Sequence, residues 1–182
     1  MSIKLDRMFW ICCALILFAL FTRVLPHPMN FTPIGAIALF AGAYLSYKRT
    51  WLIPIAALVV SDAIIGFYDP ISMFFVYLGF AASAVLGRYF LQHKRTVLNV
   101  AGTTLAGATV FFVLSNFGMW LTGLAYPMTL EGLIQCYVMA IPFFGNTLLG
   151  DAMYVILLFG SYELLRAYLK PTSINSKIYK TA

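Results

Sequence analysis

The chain has 182 residues, of which 62% are hydrophobic and only 10% are charged, and its mean hydropathy is +0.90. A water-soluble core of this size cannot bury so much apolar surface, so the composition excludes an ordinary soluble domain and indicates an integral membrane protein. The net charge of +6 does not indicate nucleic-acid binding, because the basic residues stand in ones, twos and threes between long apolar runs.

The apolar runs and the turn residues between them predict an all-α bundle of six membrane-spanning helices in a single domain. The predicted spans cover residues of about 8–24, 33–47, 51–66, 71–91, 97–122 and 143–168. The first run also resembles a secretory signal, but no small-residue cleavage site follows it, so we expect it to be retained as a helix. Residues 169–182 are predicted to form a tail.

The last apolar stretch, residues 131–168, is too long for one straight crossing of a bilayer at about 1.5 Å per residue. Pro142 lies inside it, and a proline lacks the backbone donor of a helical residue and clashes with the preceding turn. We therefore predict an interfacial or re-entrant helix over about 131–141, separate from the sixth span.

Basic residues lie almost entirely on one side of this topology. Eleven of the twelve fall on the side of the N-terminus: Lys4, Arg7, Lys48, Arg49, Arg88, Lys94, Arg95, Arg166, Lys170, Lys177 and Lys180. Because cytoplasmic segments carry the excess of Lys and Arg, both termini are predicted to be cytoplasmic. Arg23 is the exception and is predicted to be external.

Polar residues in or beside the spans gather toward the predicted external side. A carboxylate in hydrocarbon is costly, so Asp62 and Asp151 are expected to face the bundle interior or a wet cavity. The pattern predicts an external substrate-binding pocket formed by Arg23, His27, Asn30, Asp62, Asp69, Tyr77, Asn116, Tyr126, Asn146 and Asp151. Further external rings are expected to line it: Phe67, Tyr68, Phe74, Phe117, Trp120, Tyr137, Phe143 and Phe144.

Several of these residues also have a structural interpretation. Asp62 either contacts a ligand or pairs with Arg23 and so ties the outer ends of spans one and three. Asp151 and Asn146 either face the ligand or satisfy backbone groups freed by Pro142. Both alternatives remain open from the sequence.

Two short segments carry more specific signals. Asp69 stands immediately before a proline and is expected to cap the fourth span at its N-terminus. His27 lies between two prolines that hold it in a stiff extended segment, where an external imidazole is a suitable contact for a ligand or a metal.

Small residues recur at helical spacing in two spans. They are predicted to let helices approach closely, and they are Ala38, Gly42, Gly79, Ser83 and Gly87. The chain contains no nucleotide-binding loop and no hydrolase or metalloprotease motif. It is therefore not expected to hydrolyse ATP, and no catalytic residue is predicted.

Five segments resemble the BtuM-like vitamin B12 transporters, which are related to the substrate-binding (S) components of energy-coupling-factor (ECF) vitamin transporters. The segments are RVLPHPMNFTPIGA at 23–36, SD at 61–62, GFY at 66–68, NFG at 116–118 and IPFFGNTLLGD at 141–151. The resemblance implies a six-helix protein of the bacterial inner membrane. It implies binding of a vitamin, cobalamin or another corrinoid, on the periplasmic side and its transfer to the cytoplasm.

The resemblance also bears on partners and on cobalt. S components act with a scaffold and ATPase subunits, whereas BtuM-like proteins are thought able to act alone. Some members bind cobalt through a cysteine near the start of span four and remove cyanide, but residues 71–80 contain no cysteine here, so that chemistry is not expected. His27 is the candidate cobalt ligand instead, since imidazole suits borderline metals.

Two other functions remain open. One is an intramembrane enzyme acting on a lipid-linked or amphipathic substrate, with Asp62, Asp151 and His27 as acid and base groups. The other is a structural partner of another membrane protein that binds no small molecule.

Overall fold

The computed structural model describes residues 2–45 and 50–168 of the chain. The described residues form six α-helices and contain no strand, which confirms the all-α class. The helices are α1 (Ser2–Val24), α2 (Ile34–Tyr44), α3 (Leu52–Ile65), α4 (Pro70–Leu86, continued by a π-helical turn over Gly87–Leu91), α5 (Val97–Leu121) and α6 (Leu130–Tyr168). The predicted tail and two of the listed basic residues, Lys48 and Arg49, lie outside the described residues.

Helix α6 differs from the prediction. It runs through Pro142 as one helix of 39 residues, about 58 Å long, so the predicted division at this proline is wrong. Contacts with neighbouring α5 lie on both sides of the proline: Tyr137 donates to the Val113 carbonyl at 2.8 Å, and the ring centroids of Phe144 and Phe112 are 4.8 Å apart. An apolar helix packed against neighbours tolerates one missing backbone hydrogen bond.

Three helical segments among the described residues are long and apolar enough to cross a membrane. They are Pro70–Leu91, Val97–Leu121 and Leu130–Tyr168. Shorter apolar helices cover Cys13–Val24, Ile34–Tyr44 and Leu52–Ile65.

Helix α2 forms the centre of the bundle. It packs against all five other helices, and its residues from Ile34 to Ala43 are buried. A helix that is apolar on every side is expected in such a position. Its alanines and glycines allow the neighbouring backbones to come close.

The predicted small-residue positions are packing positions. All five are buried: Ala38, Gly42, Gly79, Ser83 and Gly87. A Cβ on Gly42 would overlap the Ala84 carbonyl oxygen, and one on Gly87 would lie 2.9 Å from the Leu39 Cα. The backbones of α2 and of the α4 end are therefore in direct contact.

Contacts between helices define two ends of the bundle: Arg23 of α1 pairs with Asp62 of α3 at one end, and Tyr44 of α2 donates to Glu163 of α6 at the other. We call the end with residues 25–33, 66–69 and 122–129 the outer end, and the end with residues 45–51 and 92–96 the inner end.

Candidate functional site

An ion pair joins the outer ends of α1 and α3. Arg23 Nη1 lies 2.8 Å from Asp62 Oδ1 and also donates to the Ser61 hydroxyl. Tyr77 of α4 donates to Asp62 Oδ2 at 2.6 Å. The Asp62 side chain is only 2% exposed. The structural interpretation of Asp62 is confirmed, because its charge is compensated inside the protein by Arg23 and Tyr77.

A cavity of about 340 Å³ lies at the outer end, and we call it the outer cavity. Four of the predicted site residues line it: Arg23, His27, Asn30 and Asp151. The remaining lining comprises Thr32, Ile34, Leu58, Ile65, Tyr68, Val76, Phe80, Phe111 and Thr147. The cavity is thus lined by seven polar and six apolar residues, and it offers both apolar surface and polar groups that can orient a small molecule.

Asp151 connects α6 to the beginning of α2. Its carboxylate accepts a hydrogen bond from the Ala36 backbone N–H, and a Cβ on Gly35 would overlap this carboxylate. Helix α2 starts after Pro33 without a side-chain cap of its own, and first-turn N–H groups lack partners within a helix. Asp151, which is 5% exposed, therefore caps α2 from another helix.

The interpretation that Asp151 and Asn146 satisfy backbone groups freed by Pro142 is wrong. The group freed by Pro142 is a carbonyl, which a carboxylate cannot serve because it has no proton to donate. Asn146 instead donates through Nδ2 to the Met29 carbonyl at 3.0 Å. This bond fastens the segment 25–33 to α6 beside the outer cavity.

The segment 25–33 places His27 and Asn30 at the mouth of the outer cavity. His27 Nδ1 bonds to the Leu25 carbonyl at 2.7 Å, so Nδ1 carries the proton and Nε2 of the neutral ring keeps its lone pair. Phe31 N donates to the Pro28 carbonyl at 3.0 Å, closing a turn. Asn30 takes the left-handed conformation there, with φ of 64°, which asparagine tolerates well.

Metal-ligating side chains do not converge in the described part of the chain. No group of three or more His, Cys, Asp and Glu residues is placed to hold an ion there. A metal contacting His27 would therefore have to bring most of its ligands with it, as the cobalt of a corrinoid does.

Asp69 does not reach the outer cavity. Its Oδ1 accepts a hydrogen bond from the Ser72 backbone N–H at 2.9 Å, and Pro70 follows it at the first helical position. The predicted cap of the fourth span is confirmed, and Asp69 is not among the residues that line the outer cavity.

The Asp69 cap gives a first testable prediction. Asp69→Ala is expected to lower the free energy of unfolding by about 1 kcal/mol, because the first turn of α4 loses its acceptor. Asp69→Asn should retain nearly all of it, since asparagine caps equally well. Unfolding in mixed detergent micelles measures both variants. Equal losses in the two would argue against the cap.

Asn116 and Tyr126 also lie away from the outer cavity lining. The Asn116 side-chain amide donates to the Phe112 carbonyl of its own helix at 2.8 Å. The backbone carbonyl of Asn116 accepts from the Cys136 thiol at 3.4 Å. Tyr126 is partly buried within the segment 122–129. These two predicted contacts, like that of Tyr77, are therefore not part of the cavity wall.

The aromatic lining differs from the predicted one. Of the external rings, Tyr68 alone lines the outer cavity, while Phe80 and Phe111 form a wall that the sequence did not suggest. Their rings stack with centroids 4.4 Å apart. Helical register could have indicated Phe80 as a lining residue, since Val76 and Phe80 are four residues apart and share one face of α4.

Tyr68 offers a hydroxyl donor at this wall. Partial burial raises the pKa of Tyr68 to about 12, the Asp62 carboxylate acts in the same direction, and the Arg23 guanidinium opposes them. The phenol therefore stays protonated at neutral pH and is able to donate to a ligand.

A second opening, of about 570 Å³, lies between α5 and α6 toward the inner end. Its polar rim is an internal network: Tyr44 donates to Glu163 at 2.8 Å, Arg95 donates to the Ala43 carbonyl at 2.7 Å, and the guanidinium lies 4.5 Å from the centre of the Tyr44 ring. The sequence did not predict this opening, because the sequence pattern placed Arg95 only among the basic residues on the side of the N-terminus.

Three helices that are long and apolar enough to cross a membrane, together with three shorter apolar ones, indicate a helical membrane protein. The chain belongs to a family described as "Family of unknown function (DUF6580)", which matches residues 3–173. No curated protein and no solved structure matches the chain.

Proposed function

We propose that this protein is an uptake protein of the bacterial inner membrane that binds a vitamin-like solute in the outer cavity and carries it to the cytoplasm. The observation behind this proposal is the meeting of Arg23, His27, Asn30 and Asp151 beside apolar walls. Polar side chains are costly within a bilayer, and in membrane proteins they mark substrate pathways and wet cavities.

The proposed topology has six crossings with both termini in the cytoplasm and the outer cavity facing the periplasm. Arg88, Lys94, Arg95 and Arg166 belong to the inner end and Arg23 to the outer end, which agrees with the excess of basic residues in cytoplasmic segments. Helix α2 has 11 residues and is only about 16 Å long. Its N-terminus therefore lies within the bilayer, beside the outer cavity.

A vitamin is supported by the resemblance to S components and by the size of the site. At about 340 Å³ the outer cavity is at the lower end of the roughly 300–1,000 Å³ of drug-sized ligand sites. A small vitamin fits this volume directly. A corrinoid is far larger, so cobalamin requires the segment 25–33 to move outward, and His27 Nε2 is then the group placed to bind its cobalt.

The proposal is tested by purifying the protein from its native host in a mild detergent. Native mass spectrometry and an absorption spectrum are expected to show one small molecule per chain, and proteoliposomes holding the protein are expected to accumulate it. Ile65→Trp should reduce the bound fraction at least tenfold, because Ile65 lines the outer cavity and a larger side chain there fills it.

Ile64→Trp is the matched control. Ile64 and Ile65 are 61% and 53% exposed at the end of the same helix, and Ile64 is outside the cavity lining. Binding that is equal in the two variants, or a wild-type protein that neither retains nor takes up any solute, would contradict the proposal.

The alternative of an intramembrane enzyme has less support. An acid and base pair needs both groups within reach of one substrate. Asp62 is held by Arg23 and Tyr77 and is not part of the cavity lining, whereas Asp151 is. Only His27 and Asp151 of the three proposed acid and base groups therefore line the cavity.

A further inference from the structure

The charges that line the outer cavity are unevenly compensated. Arg23 is neutralised by Asp62 at 2.8 Å, so this cation brings little net charge to the cavity. Asp151 lines the same cavity, and among the described residues no Lys, Arg or His lies within salt-bridge distance of its carboxylate. The lining therefore contains one acidic group without a cationic partner.

The start of α2 compensates Asp151 only in part. The Ala36 N–H occupies one acceptor position of the carboxylate, and an ionised carboxylate offers about four. A helix N-terminus carries only about half of a positive charge. Because Asp151 is 5% exposed, water screens little of the negative charge that the helix N-terminus leaves uncompensated. A buried carboxylate normally has a full countercharge.

The position of Asp151 also disfavours an anionic ligand. Helix N-termini are the usual binding sites for phosphate and carboxylate groups, but at α2 the place is already taken by the Asp151 carboxylate. A second anion there would face a like charge at close range. Phe80, Phe111, Leu58 and Ile34 complete the wall with apolar surface, which suits a flat or ring-shaped body.

We propose that the solute bound in the outer cavity is a small organic cation, with its ammonium, amidinium or heteroaromatic cation paired with Asp151 and its apolar body against Phe80 and Phe111. This inference rests on the proposed uptake function and specifies its substrate class. It differs from that function in predicting the sign of the ligand charge.

Two matched sets of probes test the sign of the charge. One set is tryptamine, tryptophol and indole-3-acetate, and the other is phenethylamine, 2-phenylethanol and phenylacetate, so that one ring system appears as cation, neutral molecule and anion. Calorimetry on the full-length protein in detergent should give the amines at least tenfold tighter binding than the acids. The neutral alcohols should fall between them.

Asp151→Asn separates charge from structure. The asparagine oxygen still accepts from the Ala36 N–H, so α2 remains capped, while the negative charge is lost. The preference for amines over acids is expected to shrink to less than threefold. Gly145→Ala is the control on the same helix, since a Cβ there meets nothing within 4 Å, and it should keep the full preference.

Each outcome decides the inference. Amine preference that persists in Asp151→Asn, acids that bind as tightly as amines, or a wild-type protein that binds no amine would overturn it. If Asp151→Asn does not fold, the selectivity of the wild-type protein decides. A preference for acids would leave the outer cavity as an uptake site and remove only the cation, whereas failure of every probe together with absence of any copurified solute would remove both proposals.

Discussion

Gly42→Ala and Gly87→Ala are each expected to lower the free energy of unfolding by about 3 kcal/mol or more. A Cβ on Gly42 would overlap the Ala84 carbonyl oxygen and lie 2.6 Å from the Arg88 backbone nitrogen. A Cβ on Gly87 would lie 2.5 Å from the Leu39 carbonyl oxygen. All of these neighbours are backbone atoms, so no change of side-chain rotamer relieves the overlap, and whole helices must separate.

Separation of these helices would reach the outer cavity as well. Helix α2 is central, and its N-terminus carries Ile34 of the cavity wall and the N–H group that holds Asp151. A shift of α2 away from α4 is therefore expected to reduce solute binding together with stability. Neither glycine lines the outer cavity, so this loss would occur without substitution of any lining residue.

Gly102→Ala and Gly145→Ala provide the controls for these substitutions. Both glycines lie within helices, and a Cβ on either meets nothing within 4 Å. Alanine at either position should therefore raise the free energy of unfolding by about 0.5–1 kcal/mol. Unfolding by increasing SDS in mixed micelles measures all four variants. If Gly42→Ala and Gly87→Ala unfold at the same SDS fraction as the controls, the close backbone contact of α2 with α4 is wrong.

Much of the fold follows from apolar periodicity and charge. The predicted spans at 51–66, 71–91 and 97–122 agree closely with α3, with α4 and its π-helical turn, and with α5. The Arg23–Asp62 pair was also among the predicted alternatives, because two opposite charges near one end of an apolar bundle have a strong reason to meet. Local signals were reliable where one residue decides the structure, as at the Asp69 cap.

The errors arise where tertiary contacts override a local rule. Pro142 does not end α6, which contacts α5 on both sides of it through Tyr137 and Phe144. Asn116 does not reach the outer cavity, because an asparagine inside a helix can satisfy its amide on the carbonyl four residues earlier. A sequence shows that a polar group needs a partner, but not whether that partner is local.

The partnership of Asp151 with Gly35 illustrates the same limit at the site. The sequence indicated that Asp151 should face a cavity, and it does. It did not indicate that the carboxylate would cap a helix beginning more than a hundred residues earlier, nor that Gly35 must lack a side chain to admit it. Both facts depend on the crossing of α2 and α6, which no local pattern in the sequence specifies.

Removing one member of the Arg23–Asp62 pair is expected to cost about 3–5 kcal/mol of folding free energy, because the other charge is left buried without its partner. The larger loss should come from Arg23→Met, since the Asp62 side chain is 2% exposed while that of Arg23 is 17% exposed and has more access to water. Tyr77→Phe should cost about 2 kcal/mol, the usual value for a hydrogen bond to a charged group.

The double variant Arg23→Met with Asp62→Leu is expected to be more stable than either single variant, since two apolar side chains can replace a buried ion pair with little loss. A double-mutant cycle from SDS unfolding measures this coupling, and additive losses would show that the two charges do not depend on each other. The same variant separates structure from binding. If the pair only supports the bundle, stability and amine affinity should recover together, whereas recovered stability with lost affinity would show that the pair contributes to solute binding beyond its support of the fold.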